Sequence, residues 1–191
     1  MKRATMLLVL AAASAAHADP RETVQHAFES VLAAGGFRGH AQGSVFGPGL
    51  PALSGDVDVV FPDRIHVRTD EMEFIARPEG AWISAFGLWT PTDRALLPVT
   101  AFDRSAMREA IASIRDVREE GAATTRQCAA HVFRFRSSGQ LPGAGASGDV
   151  RAWVCDGSGK PARIEATDTQ RDRLVFDFDW SRRPDVAAPR E

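Results

Sequence analysis

The sequence lacks several features that particular classes of protein require. It has no tyrosine, only two cysteines and no apolar run long enough to span a bilayer as a helix. The 191 residues carry 23 basic and 25 acidic side chains, which gives a net charge of −2. Because nucleic acid binding relies on clustered positive charge, we expect no nucleic acid partner.

Motifs for covalent catalysis are also absent. The sequence contains no G-x-S-x-G, no His-Glu-x-x-His and no phosphate-binding glycine loop. His40, His66 and His131 fall on predicted strands, where they could meet Asp56 or Asp58 in a metal or acid–base site. No two of them have ligand-like spacing, so we interpret them as half-exposed sheet residues. We predict that the protein is not an enzyme and needs no metal and no cofactor.

Residues 1–18 have the pattern of a cleaved secretory signal. Lys2 and Arg3 precede an apolar run, and the segment ends in small residues at Ala18. A lipid-anchored bacterial protein requires a cysteine as its first mature residue, and no cysteine follows Ala18. We therefore predict cleavage after Ala18 and an exported, soluble, unanchored protein in the periplasm.

The mature chain is long enough for one domain, which we place at residues 19–181. A 3.6-residue apolar period predicts a helix over residues 20–34 and a second helix that begins at Asp103 or Ser105. Residues 87–102 form a long connection with many large apolar side chains, typical of a lid. We expect residues 182–191 to be a flexible tail.

Alternation with a period of two predicts an antiparallel sheet. The predicted strands cover residues 37–45, 56–61, 64–68, 71–76, 80–86, 117–125, 127–136, 148–155, 162–167 and 172–180. Small residues at Gly39, Ala41 and Gly43 leave space on one face of the first strand. The order of elements predicts an α+β fold: a strongly curved antiparallel sheet with helices covering the concave face.

The two cysteines are a disulfide candidate in an exported chain. If Arg136 lies opposite Ser147 in the predicted hairpin, the same register places Cys128 opposite Cys155. Such a bond contributes on the order of 3 to 4 kcal/mol in the chain-entropy account. A metal site would need further ligands at suitable spacing, and none is present.

Three segments carry a resemblance to a known family. They are the strand–proline–strand run at residues 56–67, the turn into an aromatic strand at residues 78–82, and residues 150–164, which contain Trp153 and Cys155. In these segments and in the order of its elements the chain resembles the LolA-type periplasmic lipoprotein carriers and their relatives. The resemblance implies an unclosed β-barrel around a lipid-binding cavity.

The chain departs from the lipoprotein carriers at Phe61, where those proteins have an arginine that helps to govern release. The resemblance therefore implies the broader function, a periplasmic carrier or chaperone for a lipid, a lipoprotein acyl chain or another apolar ligand. The implied partners are a lipid or an acylated lipoprotein and a membrane-protein donor or acceptor of the envelope. We expect a monomer.

Apolar side chains of the sheet and the second helix are the candidate ligand contacts. Those of the sheet are Val57, Val59, Phe61, Ile65, Val67, Phe74, Phe176 and Phe178. Those of the connection and the second helix, the expected mobile wall, are Leu88, Trp89, Leu96, Leu97, Phe102, Met107, Ile111 and Ile114. The same residues also fit an ordinary packed core. In that case the interior is filled, and the alternative function is an interaction or sensor module of the cell envelope.

Overall fold

The computed structural model describes residues 19–43, 53–94, 103–143, 148–168 and 173–189. The described residues form two helices, α1 (Pro20–Ala33) and α2 (Arg104–Ala112). They also form eleven strands: β1 (Gly36–Gly43), β2 (Leu53–Val60), β3 (Arg64–Thr69), β4 (Met72–Arg77), β5 (Gly80–Ala85), β6 (Leu88–Thr92), β7 (Arg115–Thr124), β8 (Ala129–Ser137), β9 (Gly148–Cys155), β10 (Pro161–Asp168) and β11 (Arg173–Phe178). Among these helices, none is long and apolar enough to cross a membrane.

An aspartate caps the N-terminus of each helix. The side chain of Asp19 accepts a hydrogen bond from the Arg21 amide at 2.9 Å, and Pro20 occupies the first turn of α1. Asp103 accepts one from the Ala106 amide at 2.7 Å at the start of α2. The predicted helix over residues 20–34 and the second helix that begins at Asp103 are thereby confirmed.

The eleven strands form one antiparallel sheet in the order β6-β5-β4-β3-β2-β1-β11-β10-β9-β8-β7. All neighbours in this order are also neighbours in the sequence, except β1 and β11. The two sheet edges, β6 and β7, are joined in sequence by the segment that contains α2. The sheet does not close, so the predicted α+β architecture of an unclosed, curved sheet with two helices is confirmed.

The predicted lid over residues 87–102 is wrong at its beginning. Residues 88–92 form β6, which pairs with β5 in the register Ala85↔Leu88 to Ala81↔Thr92. Proline lacks the amide needed for pairing on both sides, and Pro91 is compatible with this strand because β6 is an edge. Residues 95–102 lie outside the described residues.

The predicted disulfide is present, although the predicted hairpin register is wrong by two residues. Arg136 lies opposite Asp149 rather than Ser147, and Cys155 lies opposite Ala130. Cys128 lies just before β8, with its Cα 5.7 Å from that of Cys155. The bond therefore links Cys128, which precedes β8, to Cys155, the last paired residue of β9.

The C-terminal segment packs against the sheet. Residues 181–189 contain no helix or strand, yet Val186 is only 3% exposed. Pro184 approaches Gly36 of β1, and the Asp185 amide lies close enough to Asp58 of β2 to lower the pKa of that carboxyl. This part of the segment predicted to be a tail is fastened to the sheet rather than free in solvent.

Candidate apolar binding site

The inner face of the sheet, which packs against the helices, is apolar across its central strands. Strand register places Phe133, Ala152, Ile164, Phe176 and Ala41 opposite one another across five strands. All of them are 4% exposed or less. The alternation of side chains in β-strands brings these residues to one face, as the sequence pattern predicts.

An aromatic group occupies the middle of this face. Phe176 and Phe178 lie 4.8 Å apart between ring centroids, and Phe37 lies 5.5 Å from Phe176. These rings use the space beside Gly39, because a Cβ there would lie 2.6 Å from the Phe176 ring. The prediction that Gly39 leaves empty space is therefore wrong, since its missing side chain allows the close approach of Phe176.

Helix α2 covers part of the inner face and is fastened to α1. Its apolar side buries Met107, Ala110 and Ile111, with Ile114 directly beyond its end. Three side chains bond to main-chain oxygens across the helix pair. They are Arg21 to Ala112 at 3.3 Å, Gln25 to Ile111 at 3.2 Å and Arg104 to Leu32 at 3.0 Å.

The inner face becomes exposed toward β6. Met72, Ala85 and Leu88 lie opposite one another on β4, β5 and β6, and Ile83 beside them is only partly buried. Met72 is 37% exposed and Leu88 is 75% exposed, whereas Phe74, two residues along β4, is 5% exposed. The apolar surface is thus continuous from the buried interior to solvent at this end, which we call the open end.

The structure brings together most of the residues predicted to contact a ligand. Val57, Val59, Ile65, Val67, Phe74, Met107, Ile111, Ile114, Phe176 and Phe178 belong to one buried cluster, and Phe61 packs against it. Leu88 and Trp89 lie on the edge strand β6 rather than on a lid. Leu96, Leu97 and Phe102 lie outside the described residues.

The predicted histidines do not converge. His40 contacts Asp56 at 3.1 Å, His66 contacts Glu73 across β3 and β4, and His131 contacts Glu119 at the other end of the sheet. The hydrogen bond that His131 donates to the Glu119 carboxylate raises the pKa of His131. Within the described ranges, no group of three His, Cys, Asp or Glu side chains could hold a metal ion.

Asp58 is a carboxylate on the outer face that is buried, which the sequence pattern did not predict. Asp58 is 3% exposed, with Arg38 Nε 3.4 Å from its Oδ1 and Arg68 Nη2 3.4 Å from its Oδ2. Burial raises its pKa, although Arg38, Arg68 and His66 each lower it. The signal in the sequence was the alternation that places Arg38 and Asp58 on the same face of neighbouring strands.

Two open depressions lie away from the helix-covered interior. One, of about 620 Å³, is bordered mainly by charged side chains of β7, β8 and β9. The other, of about 700 Å³, lies at the open end between the turns that join β3 to β4 and β5 to β6. Thr69, Glu71, Met72 and Phe86 border the second depression, so it adjoins the exposed part of the inner face.

Comparison with solved structures supports the architecture. LppX, a lipoprotein of Mycobacterium tuberculosis, matches with a TM-score of 0.62 at 11% identity, over 88% of this chain and 98% of LppX. LprF from Mycobacterium bovis matches with a TM-score of 0.61 at 11% identity, over 89% of this chain and 96% of LprF. The LolA superfamily protein NE2245 from Nitrosomonas europaea aligns over 90% of this chain and 96% of its own, at 9% identity and a TM-score of 0.36.

The sequence matches no protein-family model and no curated protein. The similarity to LppX and LprF is therefore one of fold. Together with the unclosed eleven-stranded sheet and its two helices, it defines the chain as an α+β protein with the fold of LppX and LprF. This confirms the unclosed sheet with helices that the sequence resemblance implied.

Proposed function

We propose that the protein is a periplasmic carrier that binds a lipid or another long apolar ligand between its sheet and helices, without covalent chemistry. The observation that carries the proposal is the continuity of the inner apolar face from Phe74, which is buried, to Leu88, which is exposed. A ligand that enters at the open end covers Met72 and Leu88 first and then contacts Ile83. Each methylene removed from water contributes about 0.8 kcal/mol.

The attachment of α2 is consistent with entry of a ligand beneath it. The three hydrogen bonds from Arg21, Gln25 and Arg104 join α2 to α1 rather than to a strand. Each such bond contributes about 1 kcal/mol net, and displacement of α2 also exposes Met107 and Ile111, at about 1.5 to 3 kcal/mol each unless the ligand covers them. In this proposal α2 moves to widen the space between the helices and β4 to β6.

The proposal is tested by uptake of a fluorescent fatty acid, dansylated undecanoic acid, by the protein after delipidation. We expect saturable binding with a blue-shifted emission, and native mass spectrometry of protein from a bacterial periplasm should show a bound lipid. Ile83→Lys places a charge on the inner face and should weaken binding at least about tenfold. Absence of both bound lipid and uptake would overturn the proposal.

A matched control separates the inner face from a general effect of charge. Gln42→Lys adds the same charge at an exposed position on the outer face of β1, and it should leave uptake unchanged. Gln25→Ala removes one fastening of α2 and should accelerate uptake without abolishing it. Equal loss of binding in Ile83→Lys and Gln42→Lys would contradict a site on the inner face.

A further inference from the structure

The exposed large apolar side chains of the described residues are concentrated at one corner. They are Met72, Phe86 and Leu88, with exposures of 37%, 101% and 75%. Met72 and Leu88 flank Ala85 in the sheet register, and Phe86 follows Ala85 in the chain. We call Met72, Phe86 and Leu88 the hairpin corner. Such grouping differs from the scattered exposure of single apolar side chains that is usual on monomers.

Phe86 occupies an unfavourable position for its residue type. Phe86 and Gly87 form the two-residue loop between the paired residues Ala85 and Leu88, with φ angles of 55° and 79°. Positive φ at both loop residues is the requirement that Asn-Gly meets most easily. Phenylalanine is strained in this region, and at 101% exposure its side chain gains no packing in return. The stability of the folded chain therefore does not explain why residue 86 is a phenylalanine.

The border of the hairpin corner is acidic. Asp70, Glu71 and Glu73 line the depression of about 700 Å³ beside Met72 and Phe86. Glu73 is engaged by His66, whereas Asp70 and Glu71 form no ion pair with any described residue. A surface that combines apolar side chains with free carboxylates is complementary to apolar side chains interspersed with cations.

We propose that the hairpin corner is a docking surface for a cationic amphipathic segment of another protein. The same carboxylates disfavour an anionic lipid surface through charge repulsion. They also disfavour a second copy of this chain, because a two-fold contact places the acidic border of one copy against that of the other. This surface shares Met72 and Leu88 with the proposed entry of a ligand, whereas Phe86 belongs to the docking surface alone. Its test measures peptide binding through Phe86 and does not depend on the proposed carrier function.

The test uses a synthetic peptide of alternating leucine and lysine, titrated into the full mature chain by fluorescence anisotropy. Phe86→Asn should weaken binding by about thirtyfold, the effect of removing an aromatic anchor. The same variant creates Asn-Gly in the loop and should raise the melting temperature by about 2 to 4 °C. Loss of binding together with a gain in stability cannot result from misfolding.

Two further variants control for charge and for relief of strain. Glu71→Lys should weaken binding of the leucine–lysine peptide about fivefold. Asp116→Asn changes the other described non-glycine residue with positive φ, in β7 at the opposite edge, and should leave binding unchanged. Equal binding by the wild type and Phe86→Asn would overturn the proposal.

Other probes decide between the possible occupants. A leucine–glutamate peptide that binds as tightly as the leucine–lysine peptide would overturn the role assigned to the carboxylates. Binding only to phosphatidylglycerol vesicles, lost in Phe86→Asn, would overturn a protein partner in favour of a membrane. Dimerisation in analytical ultracentrifugation that Phe86→Asn abolishes would overturn it in favour of a second copy.

Discussion

The half of the sheet from β7 to β11 differs from the half from β2 to β6 in what covers its inner face. Helix α1 packs against β7 and β9 and also against β1, and the ring of Phe28 meets that of Phe135 on β8 at 6.0 Å. At the other end, β4, β5 and β6 leave Met72 and Leu88 exposed. The disulfide also lies in the covered half.

This difference indicates a division of roles within one continuous sheet. The covered half has its apolar side chains packed by a helix and its strand ends linked covalently, so it supplies the larger share of the stability. The open half shares the buried cluster through Val57, Ile65 and Phe74, but at β4 to β6 it also presents apolar surface that is not buried and is therefore available to bind other molecules. The following changes test whether stability and binding separate in this way.

The largest effect should come from Phe28→Ala. Phe28 is fully buried between α1 and the covered half, so its removal should lower the free energy of unfolding by about 3 to 5 kcal/mol. Leu88→Ala in the open half should change it by less than about 0.5 kcal/mol. Urea denaturation monitored by tryptophan fluorescence measures both. Similar losses in the two variants would contradict the division.

Loss of the disulfide should have the next largest effect. Cys128 and Cys155 are 27 residues apart, and the chain-entropy account gives a stabilisation of about 3.5 kcal/mol for a loop of that length. The double variant Cys128→Ser and Cys155→Ser should unfold at correspondingly lower urea concentration. Its affinity for dansylated undecanoic acid should remain that of the wild type, because the bond is remote from the open end.

Removal of the buried C-terminal side chain should have a smaller effect. Val186→Ser exchanges a side chain that is 3% exposed for a polar one and should cost about 1 to 2 kcal/mol in unfolding free energy. Ala187→Ser changes an exposed neighbour and serves as its control. Equal stability of the two variants would show that the segment after Trp180 contributes nothing to the fold.

The smallest predicted effect is a pH dependence at Asp58. Burial raises the pKa of Asp58 in the folded state above its unfolded value near 3.8. At pH values between the unfolded and the folded pKa of Asp58, the folded state binds more protons than the unfolded state. The stability due to Asp58 is therefore lost as pH rises through the folded pKa. The free energy of unfolding of the wild type minus that of Asp58→Asn should increase as pH falls through this window. A difference independent of pH would contradict the raised pKa.

The alternation of apolar and polar residues was sufficient to predict most of the fold. It assigned Val57 and Val59 to the inner face and Asp56 and Asp58 to the outer face, because a strand has a period of two. Both helices were predictable from their apolar spacing, and the second also from a cap at Asp103 or Ser105. These signals are local, and the local structure follows them.

Features that depend on distant contacts were not predictable in the same way. The hairpin register at Arg136 depends on where the glycine-rich loop turns, and a shift of two residues keeps each side chain on the same face. The strand β6 contains Pro91, which resembles a loop signal until its edge position is known. Phe176 beside Gly39 fills space that the sequence of β1 alone leaves open.

The central pairing of β1 with β11 has a consequence for synthesis of the chain. Each remaining strand pairs with strands adjacent in the sequence, so successive hairpins can form while the chain is still emerging. Strand β1 can pair with its second neighbour, β11, only after nearly the entire chain has been synthesised. Until then its amides and carbonyls present an open edge, and the interval before β11 arrives is when the nascent protein is most exposed to pairing with other chains.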